Sequence, residues 1–324
     1  MLSELQRFKH SQSVLLPFGA GTSNMTKQIT RSMPERRSIG KNPISLTMLS
    51  GCVAAAVLFA PLALSQGGPP FRSDDPDTPG NHHWEVNLGF LGDRSPFGGS
   101  YETPNIDINY GLGSRIQLKY EVPLSIQETR GDAVHVAGGL GNSLLGVKYR
   151  FYQRHSKTRI RDGEREIKFS VSTYPQVLLN NPTRSVDREI VEPGPQLLLP
   201  LEANANYGWI RISGEIGYWI TSKDVPNSWL EGIVAGHEFR KDTELYVEVY
   251  DQRDVRVPAG APKLSETTFG LGGRLPIVRN HWLRFIGMGG RSFVTPTASN
   301  GQPSWIAYVG IQFLSDRRRR HGDE

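Results

Sequence analysis

Between Asn105 and Leu124 the side chains change character at every second position. Ile106, Ile108, Tyr110 and Leu112 alternate with Asn105, Asp107 and Asn109. After Gly113-Ser114, the residues Ile116, Leu118, Tyr120, Val122 and Leu124 alternate with Gln117, Lys119 and Glu121. Successive side chains of a strand point to opposite faces, so this hairpin has one apolar face and one polar, charged face. A period of two, bounded by Gly, Pro, Asn and Asp, specifies strands and leaves little room for helices.

The pattern recurs along the chain. It predicts twelve strands, near 83–91, 102–112, 115–124, 142–152, 166–177, 196–207, 209–220, 229–239, 244–251, 266–277, 282–293 and 304–313. Short connections fall at Gly113-Ser114, Gly208, Arg240 to Thr243 and Val278 to His281. Long ones fall at 92–101, 125–141, 178–195, 221–228, 252–265 and 294–303, and 153–165 is long where a short turn is due. Short turns on one rim and long loops on the other are the organisation of an outer-membrane barrel. The expected fold is all-β: a closed, antiparallel, up-and-down transmembrane β-barrel of about 12 strands over residues 83–313.

A soluble two-sheet sandwich would also alternate. Three features favour the membrane. Twelve long strands in a Gly-rich chain would make an unusually large sandwich. All six tryptophans sit at predicted strand ends: Trp84, Trp209 and Trp282 on the short-turn side, Trp219, Trp229 and Trp305 on the long-loop side. Rings at headgroup level form such belts, although strict alternation turns Trp209 and Trp219 inward. The last strand, Trp305 to Phe313, carries an apolar face ending in phenylalanine, the kind of terminal strand that barrel assembly machinery recognises. Outer-membrane lipid and that machinery are the expected partners. A charged tail, 314–324 with Arg317 to Arg320, follows the signal-like strand.

The formal charge of +5 does not point to nucleic acid. The first 65 residues hold seven of the 37 Lys/Arg and two of the 32 Asp/Glu, which leaves the rest neutral. In that leader, Arg36, Arg37 and Lys41 precede an apolar run from Leu46 to Leu64, and Ala63 and Ser65 supply small residues before Gln66. This is a secretory signal, with an extension before Met25 or Met33 that the signal does not need. Leu49-Ser50-Gly51-Cys52 has the form of a lipoprotein box, but the apolar run continues well past Cys52. Arg36-Arg37 as a twin-arginine signal would export folded cargo, which a barrel is not. Retention of the run as an anchor is countered by the cleavage-like site. Cys52 is the single cysteine, so a disulfide framework and a Cys-based zinc site are excluded. The organisation read here is 1–65 signal with extension, 66–82 periplasmic lead-in, 83–313 barrel and 314–324 tail, in the outer membrane after passage through the periplasm.

With the apolar face against lipid, the polar face lines the lumen. The candidates are Glu85, Asp107, Lys119, Glu121, Lys148, Arg150, Lys168, Glu202, Arg211, Glu215, Glu248, Arg274 and Arg284. Unpaired buried charge is costly, so these side chains are expected to pair across strands or stay hydrated. Two interiors follow: a salt-bridged, filled barrel, or a narrow aqueous path. No HExxH, GxSxG, P-loop or paired-Cys pattern occurs, and no cofactor or metal is expected. Ser143 with His237 would be the nucleophile and base of a barrel lipid hydrolase; His237 reads more simply as an interfacial ring, and His82-His83 as part of the approach to the first strand.

Residues 69–88, 101–124 and 139–152 resemble the outer-membrane family named "MetA-pathway of phenol degradation". Its marks here are Asn109-Tyr110-Gly111-Leu112-Gly113 and Lys148-Tyr149-Arg150-Phe151. The resemblance implies a transporter-like or channel-like barrel over about 69–313 and brings no catalytic residue. The functional expectation is passive passage of small, hydrophobic or aromatic solutes; the alternatives are a filled structural or interaction barrel and a lipid hydrolase.

Overall fold

The computed structural model describes residues 68–131, 133–160, 163–207, 210–222, 225–240, 243–258, 263–278, 282–295 and 304–315. The leader with Cys52, Trp209 and the arginine run of the tail lie outside the described residues.

The strands are β1 (Trp84–Ser95), β2 (Gly98–Leu112), β3 (Ile116–Arg130), β4 (Val134–Leu140), β5 (Ser143–Ile160), β6 (Gly163–Thr173) and β7 (Gln176–Leu179). Then come β8 (Gln196–Tyr207), β9 (Ile210–Ile220), β10 (Asn227–Arg240), β11 (Thr243–Arg256), β12 (Ser265–Pro276), β13 (Leu283–Thr295) and β14 (Ser304–Leu314). β4 and β5 run in line along β3, broken at Gly141-Asn142, where the Gly141 amide donates to Pro123. β6 and β7 run in line between β5 and β8, broken at Tyr174-Pro175; proline lacks an N–H for the ladder. Each in-line pair fills one position, so twelve antiparallel strands form the ring among the described residues. β1 closes it on β14, from Glu85 opposite Leu314 to Arg94 opposite Trp305. In hydrocarbon every backbone polar group must be paired within the protein, and closure is what removes the free edge.

The alternation sorts side chains as the sequence implies. Leu118, Tyr120, Leu199, Ile216, Val247, Leu271 and Val309 are exposed on the outer face. Asn105, Asp107, Asn109, Gln117 and Glu121 are buried on the inner one. Trp84 and Trp282 are exposed at the turn rim, Trp229 and Trp305 at the loop rim.

Several sequence boundaries need correction. The stretches 92–101 and 125–141 are mostly strand: β1 and β2 meet at 96–97, and β3 and β4 at 131–133. The irregular connection 153–165 is the long end of the β5–β6 hairpin, which extends beyond the turn rim and restores the short-turn rule. In 92–101 and 125–141 glycines, a proline and runs of polar residues interrupt the apolar–polar contrast that reports a strand. Trp219 is also corrected. It is 2% exposed and packs inward with Leu178, Leu198, Leu230 and Tyr250. Its neighbours Tyr218 and Ile220 take the outer positions, and alternation overrides the pull of tryptophan to an interface.

Candidate functional site: the filled barrel interior

The residues before β1, expected as a periplasmic lead-in, run into the barrel and back. Two backbone bonds, Phe71 N–H to the Gly68 carbonyl (3.1 Å) and Gly68 N–H to the Ser73 carbonyl (3.3 Å), fold the segment into a turn on itself. Gly68 sits at φ +80°, a conformation glycine adopts without strain. Arg274, near the turn rim, donates to the Pro69 carbonyl (3.2 Å). Three residues on, Arg72 reaches Glu266 (3.0 Å) and Thr268 (2.7 Å) towards the loop end of β12, with its guanidinium 4.4 Å from the Tyr250 ring centre. The chain then descends to Asp77 and leaves towards β1.

One apolar side chain anchors it. Phe71 is buried among Leu91, Val234, Tyr246, Ile286, Met288, Ile306 and Tyr308, edge-on to Tyr246 at 5.2 Å. The inner face is therefore not wholly polar: it carries an apolar seat for this ring. Next to it, backbone amides are taken up by wall carboxylates. Ser73 N–H donates to Glu248 (2.7 Å), Arg72 N–H to the same group (3.2 Å), and Asp74 N–H to Glu215 (2.8 Å). Gly232 makes this approach possible, because a Cβ there would strike the Ser73 hydroxyl; Gly111 likewise admits the Gly80 carbonyl.

Three aspartates then meet a cationic wall. Lys148 Nζ binds Asp74 (2.7 Å) and also donates to the Asp75 carbonyl. Arg211 pairs with Asp75, and with Asp77 at 3.3 Å. Asp77 further accepts from Lys168 (2.7 Å) and Arg150 (3.1 Å). Lys148 and Arg150 stand on β5, Lys168 on β6 and Arg211 on β9, all close to the turn rim. Charge-assisted bonds of this kind are roughly twice as strong as neutral ones. Burial sets the opposing desolvation cost, so the network fixes position more than it adds stability.

The remaining sequence candidates fall on the same inner face. Asp107 accepts from Asn87 and Asn109 (3.1 Å each) and lies 3.4 Å from Lys119, which pairs with Glu121 at 2.9 Å. Glu85 accepts from Asn87 (3.3 Å). Glu202 accepts from Ser172 (2.6 Å) and lies 3.5 Å from Lys148. Arg274 is 3.7 Å from Glu244, and Arg284 is partly buried. Arg284 apart, these candidates thus stand in linked clusters of charged and polar side chains on the inner face. Sequence reading missed the central part of the interior: Phe71, Arg72 and Asp74 to Asp77. The available signal was the acid run Ser73-Asp74-Asp75-Pro76-Asp77 placed directly before a set of inward cations.

Beside the aspartates the packing is tight: the cavity bordered by Asp74, Asp77, Lys119 and Lys148 measures about 10 Å³, enough for about one water. Ser143 and His237 are not brought together. Ser143 lies at the loop end of β5, bonded to Asn181 (2.8 Å), while His237 lies opposite Ile210 at the turn end of β10.

The architecture is similar to that of an outer membrane channel from Pseudomonas putida F1, with a TM-score of 0.55 and 12% identity over 75% of this chain and 99% of that one. The chain has the fold of an outer-membrane β-barrel. The translocator domain of autotransporter NalP from Neisseria meningitidis aligns at 12% identity and a TM-score of 0.44, over 72% of this chain and 89% of that one. No family model and no curated protein matches the sequence.

Proposed function

We propose that this chain is an outer-membrane channel for small solutes whose lumen is occupied at rest by its own residues 68–79. The observation that carries the reading is how that segment is held. Its backbone bonds to itself, and every wall contact described above runs through a side chain. A segment outside the barrel ladder can leave without breaking the ladder. The outer apolar band between two rims of tryptophan supports placement in a bilayer, and the short-turn rim with both barrel ends supports a periplasmic face there. The motifs at 109–113 and 148–151 support membership of the phenol-degradation channel family, and with it solutes of hydrophobic or aromatic character.

The cavity of about 10 Å³ favours a second reading, a filled barrel that serves as a structural or interaction element. Swelling of proteoliposomes separates the two. The channel reading expects slow swelling in small uncharged solutes with the intact chain, and fast swelling once the segment is loosened by Gly232→Val. A folded Gly232→Val barrel that exposes the segment to protease yet stays impermeable supports the filled barrel instead.

A further inference from the structure

The wall where the aspartates sit has a chemistry of its own. Lys148, Arg150, Lys168 and Arg211 come from three strands and converge on carboxylates of a single short segment. For Lys168 the bond in view is to Asp77, and for Arg211 to Asp75 and Asp77. If the segment moves away, Arg150, Lys168 and Arg211 lose the carboxylates they bind here, while Lys148 keeps Glu202 at 3.5 Å. Such charge demands replacement by water or by another anion. Deeper in the lumen the wall turns acidic, with Glu202, Glu215, Glu248 and Glu266, so the cationic ground is confined to the mouth at the turn rim.

We propose that this cluster is a binding site for small dicarboxylates, and that Asp75 and Asp77 occupy it as an internal stand-in for the ligand. Two carboxylates one residue apart bridge Arg211, while Lys168 and Arg150 close on the second. A free molecule with two carboxylates at similar spacing satisfies the same donors. Guanidinium groups suit this task, since their planar fork matches a carboxylate. Ligand and segment then compete for one site, and dicarboxylate binding frees the segment. This inference rests on the plugged-channel reading and makes the dicarboxylate the ligand that frees the segment, separate from the solutes that then pass.

The test uses the full chain with Cys52→Ala and Ser73→Cys, which places a thiol where Ser73 is 1% exposed. Labelling by a membrane-impermeant maleimide reports release of the segment. Succinate is expected to speed labelling several-fold over sodium chloride at equal ionic strength. Asp75→Asn/Asp77→Asn should speed it without succinate, and Lys168→Gln/Arg211→Gln should abolish the succinate effect. In planar bilayers, the Asp75→Asn/Asp77→Asn channel should prefer anions, and adding Lys168→Gln/Arg211→Gln should remove the preference.

Equal labelling in succinate and chloride, with fast labelling in Asp75→Asn/Asp77→Asn, overturns the site and leaves the channel standing. An open channel without anion preference also overturns it. Succinate-accelerated labelling with no conductance in any variant supports the site and removes the channel. If Asp75→Asn/Asp77→Asn does not fold, Gly232→Val releases the segment by sterics with the charges intact, and the same comparison of anions decides.

Discussion

At the scale of single residues, glycine and charge set what the lumen can hold. Gly232 lets Ser73 lie against β10, so Gly232→Val is expected to raise the rate of proteolysis within 68–79 while the folded barrel persists. Limited digestion before and after heating checks this. On the opposite face of the wall the rule is different. Leu271, at the middle of β12, is 54% exposed on the outer face. Leu271→Arg is expected to cost about 2–4 kcal/mol, the penalty for a cation near the bilayer midplane. Urea unfolding in lipid vesicles reads that loss; a change under about 0.5 kcal/mol, as for an ordinary surface site, would place this face in water. Trp219 shows where residue-type rules stop being legible. Its chemistry argues for an interface, its parity argues for the interior, and parity decides.

At the scale of elements, the strands were legible because successive residues alternate between an exposed apolar outer face and a buried polar inner one. Where that contrast ends, legibility ends too. Val134 and Val136 stand 62% and 66% exposed in β4, and the Ala137-Gly138-Gly139 that follows offers no polar face to alternate with. The segment 68–79 is harder still. It has no period at all, only a turn residue, one aromatic ring and a run of acids, and its meaning lies in partners up to about two hundred positions away, as with Arg274 and Pro69. Closure depends on the last element. β14 pairs with both β1 and β13, so truncation before Ser304 is expected to abolish the heat-modifiable, compact form on gels. A truncated chain that still migrates as a closed barrel would contradict the ring described here.

At the scale of the whole molecule, a ring with an apolar outer face encloses an inner segment from its own chain. The ring needs no plug to satisfy its ladder, since among the described residues every strand except the short β4 pairs on two sides. The plug needs the ring, since the amides of Arg72, Ser73 and Asp74, the Arg72 guanidinium and the aspartates end on wall side chains. The two should therefore be separable by substitution. Replacing residues 68–79 with a Gly/Ser stretch of equal length keeps the chain length and removes the phenylalanine, the arginine and the aspartates. Single-channel conductance in planar bilayers compares it with the intact chain. Rare, small openings are expected for the intact barrel and a steady, much larger conductance for the replaced one. A replaced chain that folds, inserts and stays as silent as the intact barrel would contradict the plugged-channel reading.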